Sequence, residues 1–256
     1  MRILICGDMH GNWPVLTNLL HEKRSDLVLQ CGDFGYFPHL EVPAINMGHS
    51  PKSGLERRYD PDGRIANVID GRRVPIHWVE GNHEDHHALR ARREKGDFEV
   101  APGIIWQPRG STLTLLDGRI VLFMGGAKSV DWKLRKPGVS WFPKEILTEE
   151  DVAHLPERVD IVISHTMPNE FCFFRVDERR ARELGWDLSP DSSRELLSRV
   201  LRKCRPRLWF CGHFHQFLQG EHLGCRWTAL PEAPRDGWWI WLPDARRGHW
   251  DGEGDS

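Results

Sequence analysis

Six short apolar runs constrain the fold of this 256-residue chain more than any other feature of its sequence. Runs of four or five residues that are apolar almost throughout are typical of strands buried on both faces of an α/β sheet. A chain of this length can bury one substantial core and remain a single domain. The runs, which we interpret as strands, are Ile3–Cys6, Leu27–Gln30, residues 75–79, Ile120–Met124, residues 160–164 and Leu208–Cys211.

Two stretches between these runs have helical spacing, and their apolar faces consist of Val15, Leu16, Leu19 and Leu20, and of Leu196, Leu197, Val200 and Leu201. Asp117-Gly118 predicts the turn of a hairpin, and residues 238–242 predict a late strand. Residues 36–74 and 125–147 have no sustained period and are predicted to be long irregular loops that flank a functional edge. We expect one domain over residues 1–250 and a frayed acidic tail over residues 251–256.

Charge and hydropathy argue against several classes of protein. Lys plus Arg number 35 and Asp plus Glu number 37, so the overall charge indicates no preference for nucleic acid or an anionic surface. The first apolar run ends at Gly7-Asp8, too soon for a signal peptide, and no run approaches the roughly 18 apolar residues that span a bilayer. The six cysteines form no C-x-x-C pair. We expect a cytoplasmic protein without disulfides, membrane association or an obligate protein partner.

Polar side chains follow five of the six runs at the point where each strand is predicted to end. Because the carboxyl ends of the strands in an open α/β sheet form the ligand crevice, these groups should converge at one edge. Alone, an Asp-x-His or Gly-Asp element is more often an ordinary turn. Five such elements in order favour a site, and they are Gly7-Asp8-Met9-His10-Gly11, Gly32-Asp33, Gly81-Asn82-His83-Glu84, Ser164-His165 and Gly212-His213-Phe214-His215.

The donor atoms of these elements are those that a pair of transition metals requires. Carboxylate oxygen, amide oxygen and imidazole nitrogen without thiolate suit Mn, Fe, Zn or Ni better than a structural zinc ion or Ca²⁺. One carboxylate can bridge two ions that lie roughly 3.5–4 Å apart. The sequence therefore predicts two divalent transition-metal ions per chain, with manganese favoured.

In this order the elements resemble the motifs of the calcineurin-like metallophosphoesterase superfamily, which are D-x-H, G-D, G-N-H-[E/D], H and G-H-x-H. The resemblance implies a four-layer α/β/β/α sandwich with two mixed sheets face to face and helices outside. It also implies that Asp33 bridges both metals and that His83 is a catalytic histidine that binds neither. One metal would then be held by Asp8, His10, Asp33 and His215, and the other by Asp33, Asn82, His165 and His213.

The chain departs from the phosphoprotein phosphatase branch of this superfamily and is more similar to small bacterial or phage-type phosphoesterases. That branch has Asp-Arg-Gly where this chain has Phe34-Gly35-Tyr36. The absent acid would orient the catalytic histidine, and Asp85 is a candidate replacement. The absent arginine would bind the phosphate, and the candidate replacements are Lys128, Arg135 and Arg175.

The predicted activity is hydrolysis of a phosphomonoester or phosphodiester, such as a nucleotide, a nucleic-acid end or another small phosphoester. Two metals lower the pKa of a bridging water to about neutrality, and the resulting hydroxide would attack phosphorus in line. His83 would protonate the leaving oxygen. Alternatives are a phosphoprotein phosphatase, a non-catalytic scaffold of the same fold, and a nucleotide-binding loop at residues 125–129, which lacks the adjacent Gly-Lys-[Ser/Thr].

Overall fold

The computed structural model describes residues 1–39, 61–173 and 177–244, and its strands form two six-stranded sheets and one short hairpin. Arg175, the predicted tail and residues 40–60 of the first predicted loop lie outside the described residues. The strands are β1 (Ile3–Cys6), β2 (Leu27–Gln30), β3 (Val68–Ile69), β4 (Arg72–Arg73), β5 (Ile76–Trp78), β6 (Glu99–Ala101), β7 (Ile104–Trp106), β8 (Thr112–Thr114), β9 (Ile120–Met124), β10 (Ile161–Ser164), β11 (Leu208–Cys211), β12 (Leu218–His222), β13 (Cys225–Ala229) and β14 (Trp239–Trp241).

The two large sheets share one pattern, in which four parallel strands are flanked by an antiparallel strand at each edge. The first sheet has the order β14-β1-β2-β5-β7-β6, and the second has the order β12-β13-β11-β10-β9-β8. The pairs β1/β2, β2/β5 and β5/β7 are parallel, as are β13/β11, β11/β10 and β10/β9. Parallel strands need crossover connections, and these carry the helices.

Alternate residues of the strands pack into different cores, which shows the order of the layers. Ile3 and Ile5 of β1 share a core with Val121 and Phe123 of β9, so the two sheets face each other. Leu4 of β1 points the other way, into a core with helix α1 (Trp13–Lys23) and helix α2 (His86–Lys95). Residues of β10 and β11 pack likewise against helix α4 (Ser192–Cys204), while α3 spans Glu178–Glu183. The predicted four-layer sandwich of two mixed sheets is confirmed.

The six apolar runs correspond to β1, β2, β5, β9, β10 and β11, and the predicted hairpin pairs β8 with β9. The late strand is β14, which pairs antiparallel with β1. Strands β6, β7, β12 and β13 were not predicted, and neither was the short β3–β4 hairpin, which lies inside the predicted irregular loop 36–74. The predicted loop 125–147 contains two short 3₁₀ helices, Trp132–Leu134 and Pro143–Glu145. Within the described residues, none of the helices has the length and apolar character needed to cross a membrane.

A buried ion pair fastens the segment after β9 to the first sheet. The Arg109 guanidinium donates from Nε to Glu80 Oε1 at 2.7 Å, and from Nη1 to Asp151 Oδ2 at 3.2 Å. It also donates to the carbonyl oxygens of Lys144, Glu145 and Ile146. The side chains of Arg109 and Glu80 are 8% and 5% exposed. One arginine therefore holds residues 144–146 in place.

We expect Arg109→Ala to lower the free energy of unfolding by about 3–5 kcal/mol, because it leaves the Glu80 carboxylate buried without its partner. Chemical denaturation monitored by tryptophan fluorescence measures this loss. The matched control is Arg199→Ala, which removes a pair with Glu149 whose side chains are 46% and 75% exposed. The control should cost less than about 1 kcal/mol. Equal losses in the two variants would contradict a special role for Arg109.

Candidate metal centre

Two carboxylates lie at the centre of the site, where the loops after five strands meet. Asp8 follows β1 and is 0% exposed, and Asp33 follows β2 and is 1% exposed. His10 shares the loop after β1 with Asp8, and the other groups come from the loops after β5, β10 and β11. The structure therefore brings the predicted residues together at one edge of the sandwich: Asp8, His10, Asp33, Asn82, His83, His165, His213 and His215.

Asp8 organises the side of the site formed by the loop after β11. Both of its carboxylate oxygens accept from the backbone N–H of His213 at 3.1 Å. Its Oδ2 lies 3.1 Å from Nε2 of His215 and 3.9 Å from Nε2 of His10. The two histidine Nε2 atoms are themselves 3.3 Å apart. Two imidazoles and a carboxylate thus converge on one point.

Asp33 is placed between three histidines. Its Oδ1 accepts from the backbone N–H of His83 at 2.8 Å and lies 3.3 Å from Nε2 of His165. Its Oδ2 lies 3.7 Å from Nε2 of His10 and 3.9 Å from Nε2 of His83. The two oxygens of Asp33 therefore face different sets of nitrogen donors, which is the placement that a bridging carboxylate needs.

His165 shows where the site requires positive charge. Its Nδ1 donates to the carbonyl oxygen of Cys31 at 2.9 Å, and its Nε2 faces Oδ1 of Asn82 at 3.0 Å and Oδ1 of Asp33. All three partners accept, so Nε2 must present either a proton or a bound cation to its two oxygens. Burial opposes this charge, but Asp33 and Asp8 outweigh it and raise the pKa of His165 to about 10. A metal ion at Nε2 would satisfy the same oxygens that this proton satisfies.

Among the residues that the structure describes, three overlapping groups could hold a metal, each with ligand atoms within 4.8 Å of one another. They are Asp8–His10–His215, His10–Asp33–His83 and Asp8–Asp33–His165. The buried carboxylates and the nitrogen-rich donor set fit divalent transition metals. The ring of His213 lies 4.9 Å from that of His165, centroid to centroid, and Asn82 Oδ1 faces the same ring.

The backbone at four of these residues is left-handed. The φ angles are 44° at His10, 50° at Asp33, 69° at His213 and 51° at His215. Side-chain-bearing residues adopt this conformation at a cost of about 1–3 kcal/mol each unless the surroundings compensate. The hydrogen bonds from the His213 N–H to Asp8 and from the His10 N–H to the carbonyl oxygen of Asp33 supply part of that compensation. Four of the eight described side-chain-bearing residues with this backbone therefore lie in the site.

His83 contacts an arginine rather than the expected acid. Its Nε2 lies 2.6 Å from Nη2 of Arg135, and Nη1 of Arg135 donates to the carbonyl oxygen of Asn82 at 3.2 Å. Oδ1 of Asp131 lies 2.7 Å from the same Nη2 atom. Burial and the nearby Arg135 lower the pKa of His83 well below its usual range, although the Asp33 carboxylate raises it.

The suggestion that Asp85 orients His83 is wrong. Asp85 is the N-cap of α2, and its Oδ1 accepts from the backbone N–H groups of His87 and Ala88, both at 3.0 Å. A carboxylate at this position satisfies helix donors that would otherwise lack a partner. Its role is therefore to begin the helix.

The three cations that were candidates for phosphate binding differ in position. Arg135 lies beside His83, as described. The Lys128 ammonium instead donates to the carbonyl and hydroxyl oxygens of Ser189 and pairs with Asp187 at 3.3 Å, so its contacts lead away from the two carboxylates. Arg175 lies outside the described residues.

Three buried acids support the site and were not assigned roles from the sequence. Glu84 accepts from the N–H groups of Gly35 and Gly81, and so joins the loops after β2 and β5. Its position in the Gly-Asn-His-Glu element could have identified Glu84 as a supporting residue from the sequence. Glu232 lies 3.5 Å from Nδ1 of His215, and no motif marks it. Glu145 accepts from the N–H of Ser129, whose Oγ accepts from the Asn82 amide at 3.1 Å.

Gly81 and Gly212 let the backbone approach the two carboxylates closely. A Cβ at Gly212 would collide with Oδ1 of Asp8, and one at Gly81 would collide with Oδ1 of Asp33. The colliding atoms belong to fully buried side chains, which have no room to move aside. Both positions therefore require glycine.

We expect Gly81→Ala to abolish stoichiometric metal binding, because the new methyl group displaces Asp33 and the ring of His165. Metal content by mass spectrometry after dialysis against Mn²⁺ measures the loss. The matched control is Gly118→Ala in the β8–β9 turn, where an added Cβ meets nothing within 4 Å. Gly118→Ala adds turn strain but should keep its metal. Full metal content in Gly81→Ala would contradict this geometry.

Comparison with solved structures finds distant similarity over most of the chain. TT1561 of Thermus thermophilus is 15% identical with a TM-score of 0.49, covering 90% of this chain and 89% of that one. GAP50, the anchor in the inner membrane complex of Plasmodium, is 13% identical with a TM-score of 0.46, covering 90% and 70%. The phosphopantetheinyl hydrolase of Mycobacterium tuberculosis is 11% identical with a TM-score of 0.46, covering 97% and 98%.

A comparison with curated proteins gives no significant match. The family model described as calcineurin-like phosphoesterase matches residues 1–217. That range contains all five strand-end elements, from Asp8 to His215, and the side chains that meet between the loops. The chain belongs to the calcineurin-like phosphoesterase family.

Proposed function

We propose that this protein hydrolyses phosphate esters with two divalent transition-metal ions, manganese being favoured over iron, zinc or nickel. The observation that carries the proposal is the convergence of two buried carboxylates with histidines from four loops. Asp33 presents one oxygen to His165 and the other to His10 and His83. A site that required only structural support would not concentrate buried charge and strained backbone at one solvent-facing edge.

The residues are assigned to the two ions by the positions of their donor atoms. Asp33 would contribute to both ions, because its two oxygens face different groups of nitrogen donors. Asp8, His10 and His215 would hold one ion, since their donor atoms already converge. Asn82 and His165 would hold the other, and the family's motif pattern adds His213, whose ring lies 4.9 Å from that of His165, centroid to centroid. The Ser129 hydroxyl holds the Asn82 amide so that its Oδ1 faces His165. Glu232 orients His215 through Nδ1, as outer partners of metal-binding histidines do.

When bound, the two ions supply Lewis acidity and a water acidic enough to act as a nucleophile near neutral pH. The protein supplies the surroundings for that chemistry. The side chains of Asp8 and Asp33 are buried, so their charges act through a medium of low dielectric and are screened little by solvent. No serine, threonine or cysteine of the protein is needed as a nucleophile.

His83 and Arg135 act together on the substrate side. A guanidinium can only donate, so in the present arrangement Nε2 of His83 accepts from Arg135. A phosphoryl oxygen offers Arg135 a charged acceptor, which is a stronger partner than a neutral imidazole. Transfer of Arg135 to the phosphate frees Nε2 of His83 to take up a proton from solvent and pass it to the leaving oxygen. Arg135 thus replaces the arginine of the absent Asp-Arg-Gly element.

The substrate is a phosphomonoester or phosphodiester of a small molecule or a nucleic-acid end, and the protein acts in the cytoplasm without an obligate partner. Two alternatives predict different outcomes. A phosphoprotein phosphatase would prefer phosphopeptides, although this chain lacks Asp-Arg-Gly. A scaffold would not turn over any ester, although every ligand position and His83 are filled here.

The test is turnover by metal-reconstituted protein. Protein stripped with a chelator should be inactive, and Mn²⁺ should restore activity better than Ca²⁺, because the donors are rich in nitrogen. Asp33→Asn should lose activity and bind fewer than two ions per chain. A panel of a phosphomonoester, a phosphodiester, cyclic nucleotides and a phosphopeptide then identifies the preferred ester. Full activity in excess chelator, or no turnover of the whole panel by the two-metal protein, would overturn the proposal.

We expect His83→Ala to keep both metals and to lower kcat by roughly 10²–10⁴, the usual loss when a general acid is removed. The loss should be smaller for p-nitrophenyl phosphate, because p-nitrophenol leaves without protonation. Arg135→Ala should instead raise KM as well as lower kcat, since it removes a phosphate contact. Loss of a metal from His83→Ala would show that His83 is a metal ligand. An unchanged KM in Arg135→Ala would show that Arg135 does not bind the substrate.

A further inference from the structure

Two phenylalanines, Phe173 and Phe214, form an aromatic pair beside the candidate metal centre. Their ring centroids are 4.3 Å apart with an angle of 32° between the planes. Phe214 lies between His213 and His215, and its ring is 5.0 Å from that of His213. Phe173 lies in the segment that follows β10 and His165. Two loops that bear candidate metal ligands therefore each contribute one ring of the phenylalanine pair.

The phenylalanine pair is held firmly but is not enclosed. Both rings are half-buried, and their inner sides pack against the core of the second sheet. The Arg194 guanidinium lies 4.8 Å from the centroid of Phe173 and 5.7 Å from that of Phe214. Arg194 is fixed by donating to the carbonyl oxygens of Met167, Pro168 and Phe171. The rings thus have a fixed orientation and retain exposed surface.

The position of the pair limits what it can bind. The rings of His165, His213, Phe214 and Phe173 follow one another, with 4.9 Å between the first two centroids and 5.0 Å between the next two. Phe214 therefore lies next to one candidate ligand, His213, and Phe173 lies next to Phe214. A base joined to its phosphate through a sugar can reach from such a centre to the pair.

We propose that the phenylalanine pair binds the nucleobase of a nucleotide whose phosphate lies at the metal centre, an inference that rests on the proposed function. Aromatic side chains bind bases through their π-faces, and each such contact changes affinity by roughly 5- to 100-fold. This binding is tolerant of the identity of the base, because every base offers a π-face. The structure assigns the site to nucleotides as a class rather than to one base.

The test compares adenosine 5′-monophosphate with ribose 5-phosphate, which differ only by the base. With wild-type protein in Mn²⁺, kcat/KM should be about tenfold or more higher for the nucleotide. Phe214→Leu and Phe173→Leu should each reduce that preference several-fold by raising the KM for the nucleotide. Phe214→Tyr, which keeps an aromatic ring, should retain the preference. The matched control is Phe217→Leu, a ring on the same loop that is 44% exposed and outside the pair. Phe217→Leu should leave the preference unchanged.

Direct binding separates this inference from the proposed function. Calorimetry should show the metal-loaded protein binding adenosine 5′-monophosphate more tightly than ribose 5-phosphate, with the difference reduced in Phe214→Leu. If no ester is turned over but this binding pattern is observed, the nucleobase site is supported and the proposed hydrolysis is contradicted. If both sugar phosphates are turned over equally and bind equally, or if the preference survives both leucine variants at full metal content, the nucleobase site is overturned.

Discussion

The burial of two carboxylates, Asp8 and Asp33, is the constraint on which the rest of the structure depends. An isolated buried carboxylate is unstable, so each must be surrounded by donors or cations. The protein meets this requirement with backbone as well as side chains, since the His213 N–H binds Asp8 and the His83 N–H binds Asp33. These bonds hold the loops in conformations that point imidazoles inward. The donor arrangement at the centre and the strained loop geometry therefore have the same cause.

The matching pattern of the two sheets explains why so many loops reach one point. In each sheet four parallel strands deliver their carboxyl ends to the same edge, and the sheets face each other across a shared core. Each sheet contributes part of the site: Asp8, Asp33 and Asn82 follow strands of the first, and His165 and His213 follow strands of the second. Neither sheet alone would supply enough ligands for two ions. The site is consequently a property of the sandwich rather than of either layer.

The sequence predicted most of the strands and the central side chains because both have local signals. A short apolar run marks a doubly buried strand, and Asp8, Asn82 and His165 each follow such a run directly. Strands β12 and β13 lack this signal, since β12 is polar and partly exposed and depends on pairing with β13 for its position. Asp85 could have been identified as a helix cap from its place before α2. The choice between Lys128 and Arg135 depended on three-dimensional contacts with Asp187 and Asp131, which spacing along the chain does not encode.

The segment between Ser129 and Lys144 is held at both ends and carries Arg135 in between. Ser129 is bound to Asn82 and Glu145, and the carbonyl oxygens of residues 144–146 are bound by Arg109. With both ends fixed to the scaffold, the exposed residues in between can change over evolution without disturbing the candidate metal ligands; they are Lys133, Leu134, Lys136, Pro137 and Gly138. Such an arrangement lets the chemistry of the centre be conserved by descent while substrate preference diverges. New specificities can then arise by replacement of one short stretch of chain.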